Sequence, residues 1–359
     1  MKSYKADKCI YTALASTVAP IMAAIKHVKV EKYKPVAKQA LIVCNHTTDL
    51  DFVWIGASMR RHEYVVASDH IQRASYGKIM QTLFTPIWRI KSSSDLKTIK
   101  DIMKRAQLGS DVLVFPEGNR SINGDNYPIM GSIGKLAKLL KLPLITYKIE
   151  GGYFMQPRFA KKWRKGPVYC HPVNEYSWEE LSLRSAEEIT QIIIQDLHEN
   201  AYERQAASPV AYKGKDLCEY LETVIYTCPE CRQRATLRSC GDKVECACGF
   251  SCRIDEYGYF HCGDEPAPYP TVYDWDVWQK DELRSHEAEL KKMDPGMPIY
   301  EDKDQVLEMI GPGTLIYGTF RAFCDRFEYE KNDGEKLVLP FESINEMQEI
   351  GRASCRERV

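Results

Sequence analysis

The sequence predicts a layered α/β domain with a mixed central sheet, followed by a small cysteine-rich module and a small β-rich domain. Three observations indicate this order. Up to about residue 205, short apolar runs typical of strands alternate with segments of helical periodicity. Eight of the 13 cysteines then fall between Cys218 and Cys262, and β-type runs recur after residue 312. With 359 residues the chain has room for two or three domains.

Five strands are predicted in the layered domain, and the helices between them would cover the faces of the sheet. We expect strands at 40–44, 64–67, 111–115, 144–149 and 167–170, and helices at 52–61, 134–140 and 185–204. Ser185 and Glu188 have the spacing of a capping box at the start of the last helix. Thr48 or Asp49 would cap the helix at 52–61.

The first strand ends in a polar block that contains His46 and Asp51. The pKa of a free imidazole lies near neutrality, so a histidine held by a carboxylate is a candidate general base toward a hydroxyl. Five residues on a helix turn through about 500°, which places His46 in the corner before the helix. Asp49, three residues from His46, is the easier partner on helical geometry, and the spacing leaves both aspartates open.

A second block follows the strand predicted at 111–115. Pro116-Glu117-Gly118 ends this strand and would carry Glu117 and Arg120 into a loop. Arginine presents a planar fork of donors that suits a phosphate, and a glutamate can accept hydrogen bonds from a polyol or orient that arginine. A phosphorylated alcohol would suit both side chains. A surface loop with a local Glu-Arg pair is the alternative interpretation of this block alone.

Together the two blocks resemble motifs of the glycerolipid acyltransferases, a family typified by lysophosphatidic-acid acyltransferase. Asn45, His46 and Asp51 match the family's Asn-His-x4-Asp motif. The run 115–121 matches the Phe-Pro-Glu-Gly-Thr-Arg-Ser motif at six of seven positions, with Asn119 in place of threonine. The motifs stand in the family's order, and the resemblance extends over residues 35–205.

Two weaker blocks of the family can also be placed. The second family motif normally ends in an arginine, and the stretch 85–91 offers Lys91 or Arg89 for that place. The fourth is a hydrophobic stretch around a proline, similar to 142–145, which would shape the acyl or acceptor pocket. We therefore expect an acyltransferase domain over residues 35–210.

The resemblance implies an acyltransferase of phospholipid biosynthesis that makes phosphatidic acid from 1-acylglycerol 3-phosphate. His46 would remove the proton of the acceptor hydroxyl, which attacks the thioester of acyl-CoA or acyl carrier protein, and Asp51 would support the imidazole. No cofactor is expected for catalysis. The residues expected to bind the acceptor phosphate are Glu117, Gly118 and Arg120, together with Lys91 or Arg89.

Three other functions stay open on the sequence. The acceptor could be another lysophospholipid or a polar compound without a phosphate. The chain could instead be a non-catalytic, lipid-binding adaptor with a zinc ribbon, although the intact motif residues argue against it. A metal-dependent hydrolase that uses His46 and the aspartates is the third, and no second histidine at ligand spacing supports it.

Charge and hydropathy predict a membrane surface as a partner. Residues 1–165 contain 28 Lys+Arg against 12 Asp+Glu, whereas residues 166–359 contain 21 against 38. The basic half would be attracted to anionic lipids, phosphate-bearing substrates and an acidic acyl carrier protein, and nucleic acid is not expected as a partner.

The N-terminal 34 residues are expected to contact that membrane. Residues 9–25 carry no charge but include Thr12, Ser16, Thr17 and Pro20, which favours a shallow or hairpin-like contact over a full transmembrane helix. A helix buried against the domain is the alternative. The cosubstrates are cytosolic, so we expect a peripheral or monotopic protein on the cytoplasmic face of the cell membrane.

The cysteine pattern predicts a zinc-ribbon-like module over residues 218–262. Cys228 and Cys231, separated by two residues, form a first knuckle, and Cys246 with Cys248 would form the second. Four thiolates make a closed structural zinc site, for which Cys240 and Cys252 are substitute ligands. Disulfides are less expected on a cytosolic face, and a metal-free reduced module is the alternative.

The rest of the chain is predicted to form a linker with a helix at 263–300 and a small β domain at 301–350. Its strands are expected at 313–320, 326–329 and 336–341, with a hairpin turn at Asn332-Asp333-Gly334. We expect residues 351–359 to be a non-native tail that follows a truncated β domain.

Overall fold

The computed structural model of the protein describes residues 4–73, 75–89, 96–263, 265–308 and 315–344. Its contacts divide the chain into two compact units, residues 1–276 and 277–359. The first unit contains both the layered α/β domain and the cysteine-rich module. The module is therefore part of the same compact body as the two sequence motifs.

A seven-stranded sheet forms the centre of the first unit. Its strands are β1 Val28–Val30, β2 Leu41–Cys44, β3 Glu63–Ser68, β4 Ile87–Arg89, β5 Asp111–Val114, β6 Leu144–Glu150 and β7 Val168–Tyr176. They are ordered β1-β7-β6-β2-β5-β3-β4, and β7 runs antiparallel to β6 while the other neighbours are parallel. The prediction of an α/β domain with a mixed sheet is confirmed.

Helices cover both faces of this sheet. They are α1 Tyr4–Ser16, α2 Val18–Ile25, α3 Asp51–Met59, α4 His70–Arg73, α5 Gly77–Leu83, α6 Leu96–Ala106, α7 Ser132–Leu140, α8 Gly152–Met155, α9 Trp178–Ser182, α10 Ala186–Leu197 and α11 Ala201–Ala207. Strand residues alternate between the two faces. The cluster that packs one face on α6, α7, α9 and α10 consists of Leu41, Val43, Tyr64, Ile87, Ile102, Val112, Ile133, Ala137, Leu144, Leu181, Ile189, Ile193 and Leu197.

Two helix predictions need correction. The helix predicted at 185–204 is broken, because Asn200 adopts an extended backbone and its side chain accepts hydrogen bonds from the first amides of α11. Its predicted capping box of Ser185 and Glu188 is confirmed. The helix predicted at 52–61 begins at Asp51 with Leu50 as the N-cap residue, so neither Thr48 nor Asp49 caps it.

The N-terminal helices α1 and α2 present one small apolar face to the domain and another to solvent. Ala15, Ala19 and Ala23 are buried, whereas Ile21 and Ile25 are 60% and 69% exposed. Small side chains allow the close approach to α3, and the two isoleucines lie mostly exposed on the other face. By length and composition alone, the 22 residues Tyr4–Ile25 are long and apolar enough to cross a membrane.

The cysteine-rich module contains a five-stranded antiparallel sheet, ordered β12-β11-β10-β9-β8. The strands are β8 Leu237–Cys240, β9 Lys243–Cys246, β10 Ser251–Ile254, β11 Tyr259–Cys262 and β12 Glu265–Thr271, after which α12 runs over Val272–Ser285. The linker predicted at 263–300 wrongly includes β12, whose prolines at 266, 268 and 270 argue against a strand. An edge strand tolerates proline, since its outer amides need no partner.

The second unit contains a four-stranded antiparallel sheet with its strands in chain order. These are β13 Tyr300–Glu308, β14 Leu315–Ala322, β15 Arg326–Lys331 and β16 Lys336–Pro340, and a short helix α13 covers Glu287–Leu290. The predicted hairpin turn joins β15 to β16, with Gly334 at φ +89°. Strand β13, rich in charged residues, was not predicted. Residues 345–359, including the expected tail, lie outside the described residues.

A buried hydrogen bond ties α1 to the sheet. The Tyr11 hydroxyl donates to Glu63 Oε1 over 2.8 Å, and both residues are buried. Burial raises the pKa of the Glu63 carboxyl to about 8, and the Tyr11 hydrogen bond opposes this rise. Because the folded protein then holds a proton that the unfolded chain releases, Glu63 makes the fold less stable as the pH rises from about 4.5 to about 8.

Tyr11→Phe should remove this donor while keeping the ring. We expect the free energy of unfolding of the first unit to fall by about 1–2 kcal/mol. The loss should be larger at about pH 9 than at about pH 5, because the hydroxyl favours the ionised form of Glu63. Urea unfolding followed by tryptophan fluorescence measures it, with the exposed Tyr257→Phe as the control. An equal loss at both pH values would contradict the prediction.

Candidate active site

The two sequence motifs meet at one edge of the sheet. β2 and β5 are parallel neighbours, so their carboxyl ends lie side by side, and His46 and Glu117 follow those ends. The amide of Ser121 donates to the carbonyl of His46 over 2.9 Å. The amide of His46 donates to Glu117 Oε1 over 3.0 Å. The corner after β2 and the loop after β5 therefore form a single hydrogen-bonded structure.

The imidazole of His46 contacts Asp51. His46 Nδ1 lies 2.9 Å from Asp51 Oδ2, and the aspartate is completely buried. The Asp51 carboxylate also accepts hydrogen bonds from the amides of Thr47, over 2.7 Å, and Thr48, over 2.9 Å. Its orientation is fixed, and the engaged Nδ1 leaves Nε2 as the nitrogen that can take a proton from a ligand.

One face of the His46 imidazole is also covered. The rings of His46 and Phe115 stack with their centroids 4.4 Å apart and an interplanar angle of 23°. The His46 side chain is 24% exposed, so it keeps access to solvent. A base that is both oriented and accessible is the arrangement that proton transfer requires.

Asp49, the other candidate partner of His46, belongs to a second network. Its Oδ2 accepts a hydrogen bond from Gln156 Nε2 over 2.6 Å, and its amide donates to Gln156 Oε1 over 3.0 Å. Its Oδ1 lies 3.4 Å from Arg120 Nε, and the side chain is 62% exposed. The two aspartates that spacing could not distinguish thus have different partners: Asp51 contacts the imidazole, and Asp49 contacts the guanidinium.

Glu117 is buried beneath this corner. Besides the His46 amide, Oε1 accepts from Asn126 Nδ2 over 2.9 Å, and Oε2 accepts from the Tyr127 amide over 2.6 Å. Burial raises the pKa of the Glu117 carboxyl to about 8, and these three donors act in the opposite direction. Both oxygens are engaged with protein groups, which fits a positioning role better than the direct substrate contact that the sequence suggested.

Arg120 offers an unsatisfied donor to the site. Its side chain is 16% exposed, and Nη1 is buried without a hydrogen-bond partner among the described residues. A buried guanidinium nitrogen without a partner is costly, so a bound anion would be its natural partner. Gly118 adopts φ +70°, and a Cβ there would lie 3.8 Å from Arg89 Nη1. Arg89 thus lies beside the motif, whereas Lys91 falls outside the described residues.

Several side chains that hold the site were not identified as site residues from the sequence. Asn45 pairs with the backbone of Ile149 in β6 through both ends of its amide, at 2.9 and 2.7 Å. Gly152 lets α8 approach the corner, because a Cβ there would lie 2.1 Å from Thr47 Oγ1. The turn-forming residues around Asn126 offered a weak signal. Gln156 offered none, since its partner is distant in the chain.

The four predicted metal-binding cysteines come together in the module. The sulfurs of Cys228, Cys231, Cys246 and Cys248 lie within 4.8 Å of one another. Two of the pairs, Cys228 with Cys248 and Cys231 with Cys246, are each 3.7 Å apart. Bonds of about 2.3 Å from a tetrahedral zinc would separate the sulfurs by about 3.8 Å. The geometry of this four-cysteine cluster therefore fits a structural metal ion.

The two substitute ligands lie elsewhere. Cys252 forms a disulfide with Cys262 between the neighbouring strands β10 and β11, and Cys240 is an exposed free thiol. Disulfides are the less expected use of these cysteines on the sequence, and the structure differs from that expectation for this pair. Its cysteines face each other across the antiparallel register, a relation that the spacing of ten residues does not reveal.

The chain is similar to known acyltransferases. The sequence profile of the family described as Acyltransferase matches residues 27–150. A 1-acyl-sn-glycerol-3-phosphate acyltransferase from Cocos nucifera is 21% identical over 191 residues, which are 50% of this chain and 58% of that relative. The chain thus spans a little over half the length of that relative. The crystal structure of the 1-acyl-sn-glycerophosphate (LPA) acyltransferase PlsC from Thermotoga maritima aligns with a TM-score of 0.45 and 15% identity, over 55% of this chain and 78% of that chain.

The matched segment includes the corner after β2 and the whole loop between β5 and α7, and thus both sequence motifs. The profile and the relative agree with the motifs that suggested the family. Residues 27–150 therefore match an acyltransferase domain, and the comparisons support the glycerolipid acyltransferase family that the motifs suggested.

Proposed function

We propose that this protein transfers an acyl chain from acyl-CoA or acyl carrier protein to the free hydroxyl of 1-acylglycerol 3-phosphate and forms phosphatidic acid. The observation that carries the proposal is the oriented His46–Asp51 pair, at the same sheet edge as the unsatisfied donor of Arg120. A base for a hydroxyl and a site for a phosphate are the two requirements of such an acceptor.

His46 acts on the substrate, and no enzyme nucleophile is needed. Nε2 takes the proton of the acceptor hydroxyl as its oxygen bonds to the thioester carbonyl carbon. The tetrahedral intermediate then collapses, the carbon–sulfur bond breaks, and the thiolate takes the proton back from the imidazolium. Asp51, buried against Nδ1, stabilises the imidazolium between the two steps.

Arg120 and Arg89 bind the acceptor phosphate in this proposal, and Lys91 stays a third candidate. Glu117 positions the base, and Gly118 supplies the positive φ of the turn that lies beside Arg89. A second acceptor class is supported by Asp49, whose exposed carboxylate lies beside Arg120. A lysophospholipid whose phosphate carries an ammonium or hydroxyl group could bind the guanidinium through its phosphate and Asp49 through its donor.

We also propose that the protein works at the cytoplasmic face of the cell membrane as a peripheral or monotopic protein. Ile21 and Ile25 on α2 would enter the lipid interface, and the excess of Lys and Arg over residues 1–165 would bind anionic headgroups. The buried face of α1 and α2 keeps these helices attached to the catalytic domain. Such a contact brings the acceptor lipid to the site within the plane of the membrane.

The four-cysteine cluster is proposed to bind one structural zinc ion. Its sulfur separations fit tetrahedral coordination, and Thr236 Oγ1 lies 3.2 Å from the sulfur of Cys246 as an outer partner. Four protein ligands leave no open position for a substrate. The ion would supply folding energy to the module and no step of acyl transfer.

Substitutions at the histidine and the two aspartates test the catalytic proposal. We expect His46→Ala and Asp51→Asn each to lower turnover by at least about 100-fold, because general-base catalysis contributes on that order. Asp49→Asn should retain turnover within about tenfold and change mainly the KM of the acceptor. The measurement is acyl transfer from thioesters to a panel of lysolipids by purified protein.

His286→Ala, a histidine of the second unit, is the control for that assay. Loss of turnover in Asp49→Asn with retained turnover in Asp51→Asn would overturn the assignment of the two aspartates. Thioester loss that does not depend on an acceptor would indicate a hydrolase. Liposome binding without any transfer would indicate the adaptor.

The membrane contact is tested by the double substitution of Ile21→Asp and Ile25→Asp. Partition onto vesicles of phosphatidylglycerol and phosphatidylcholine should fall by at least about tenfold, because two apolar side chains no longer enter the interface. Leu183→Asp is the matched control, since Leu183 is 89% exposed and follows α9. An equal loss of vesicle binding in Leu183→Asp and in the double variant, or no loss of binding in the double variant, would argue against this contact.

Metal analysis tests the four-cysteine cluster. We expect one zinc ion per chain in freshly purified protein, and Cys231→Ser should lower both the metal content and the thermal midpoint of unfolding. Cys240→Ser, an exposed thiol of the same module, should change neither. A protein that contains no metal, or a Cys231→Ser variant that keeps a full equivalent, would refute the zinc proposal.

A further inference from the structure

Two adjacent residues near the start of α12 contact the residue that precedes the four-cysteine cluster and the loop beside the candidate base. Trp275 Nε1 donates to the carbonyl of Thr227 over 2.9 Å, and Thr227 directly precedes the cluster residue Cys228. Asp276 Oδ2 accepts a hydrogen bond from Asn123 Nδ2 over 2.8 Å. Trp275 and Asp276 are only 1% and 2% exposed, so water does not compete for these contacts.

From Asn123 the contacts continue to the base. Asn123 Oδ1 accepts from the amide of Asp125 over 3.1 Å, which shapes the turn leading to Asn126 and Tyr127. Those two residues donate to the carboxylate of Glu117, which in turn accepts from the amide of His46. Every link is a direct hydrogen bond or a step of one or two residues along the chain. The loop 121–127 therefore connects α12 to the candidate base.

A second contact joins the module to the acyltransferase domain. The turn between β10 and β11 lies against Phe154, because a Cβ on Gly258 would be 2.4 Å from its ring. Phe154 lies on α8, directly before the segment that carries Gln156, the partner of Asp49. The start of α12 and the module thus each contact the acyltransferase domain, and each of these two contacts adjoins a residue of the candidate site.

We propose that the start of α12 couples the four-cysteine cluster to the candidate active site, with Asn123 and Asp276 as positioning residues. Glu117 holds the His46 backbone only while loop 121–127 keeps its conformation, and the buried Asn123–Asp276 hydrogen bond restrains that loop. A small displacement of a base costs far more in rate than in binding. The inference rests on the proposed roles of His46 and the metal, but the coupling itself is a property of the fold.

Exchange of donor and acceptor tests the Asn123–Asp276 contact. Asn123→Asp keeps the oxygen that accepts from the Asp125 amide, but it replaces the donor to Asp276 with a carboxylate that repels the Asp276 carboxylate. We expect kcat to fall by about tenfold while KM changes less than about threefold, and the Tyr127 amide to exchange hydrogen at least about tenfold faster. Adding Asp276→Asn places an amide donor opposite the carboxylate introduced at position 123. Relative to the single variant, we expect kcat to rise and the exchange rate of the Tyr127 amide to fall, each by at least about fivefold. Asn332→Asp, in the hairpin of the second unit, is the matched control.

Two further variants test the link to the four-cysteine cluster without touching this contact. Trp275→Phe keeps an aromatic ring and removes the donor to Thr227, and Cys231→Ser removes a metal ligand. Both should speed amide exchange over residues 121–127, whereas Cys240→Ser should not.

The outcomes separate the coupling from the proposed function. Exchange over 121–127 that stays within about twofold of wild type in Asn123→Asp, Trp275→Phe and Cys231→Ser would overturn the coupling. Failure of the double variant to recover either readout would also overturn it. If amide exchange over 121–127 is faster in these variants but the wild-type protein transfers no acyl chain, the coupling is supported and the proposed acyl transfer is rejected.

Discussion

The buried carboxylate of Glu117 is the constraint on which the candidate site depends. Burial of a carboxylate is unfavourable unless donors surround it, and the donors here are two backbone amides and the side chain of Asn126. These donors come from the corner after β2 and from loop 121–127, so both segments must hold their conformations together. The candidate base and the candidate anion site therefore cannot move independently. Asn123, in the same loop, extends this constraint to α12.

The two aspartates near His46 have different electrostatic environments. Asp51 is completely buried and surrounded by amides, which suits a group that stabilises a transient positive charge on the imidazole. Asp49 is mostly exposed and lies beside Arg120, which suits a group that tunes the recognition of a headgroup. Their environments differ because Asp51 begins α3, whereas Asp49 lies in the corner before it and meets Gln156 at the end of α8.

The errors in the predicted elements occur where a distant contact outweighs local pattern. The prolines of β12 argue against a strand in isolation, but its place at the edge of the sheet leaves their missing amide donors without consequence. The helical periodicity of 185–204 continues through Asn200, yet its side chain caps a new helix at that point. The edge position of β12 is set by the sheet as a whole and the helix break by a side-chain cap, and apolar periodicity encodes neither.

The sequence by itself determined the strand–helix alternation, the two motif blocks and the cysteine spacing, because each is set by local periodicity or by the chemistry of residues close in the chain. Spacing left both aspartates open and the family motif named Asp51, whose contact with His46 the tertiary structure shows. Only the tertiary structure decided that Glu117 is buried and that β7 runs antiparallel. It also decided that Cys252 pairs with Cys262. These choices depend on which loops the sheet brings together, and strand order is a property of the whole packed core.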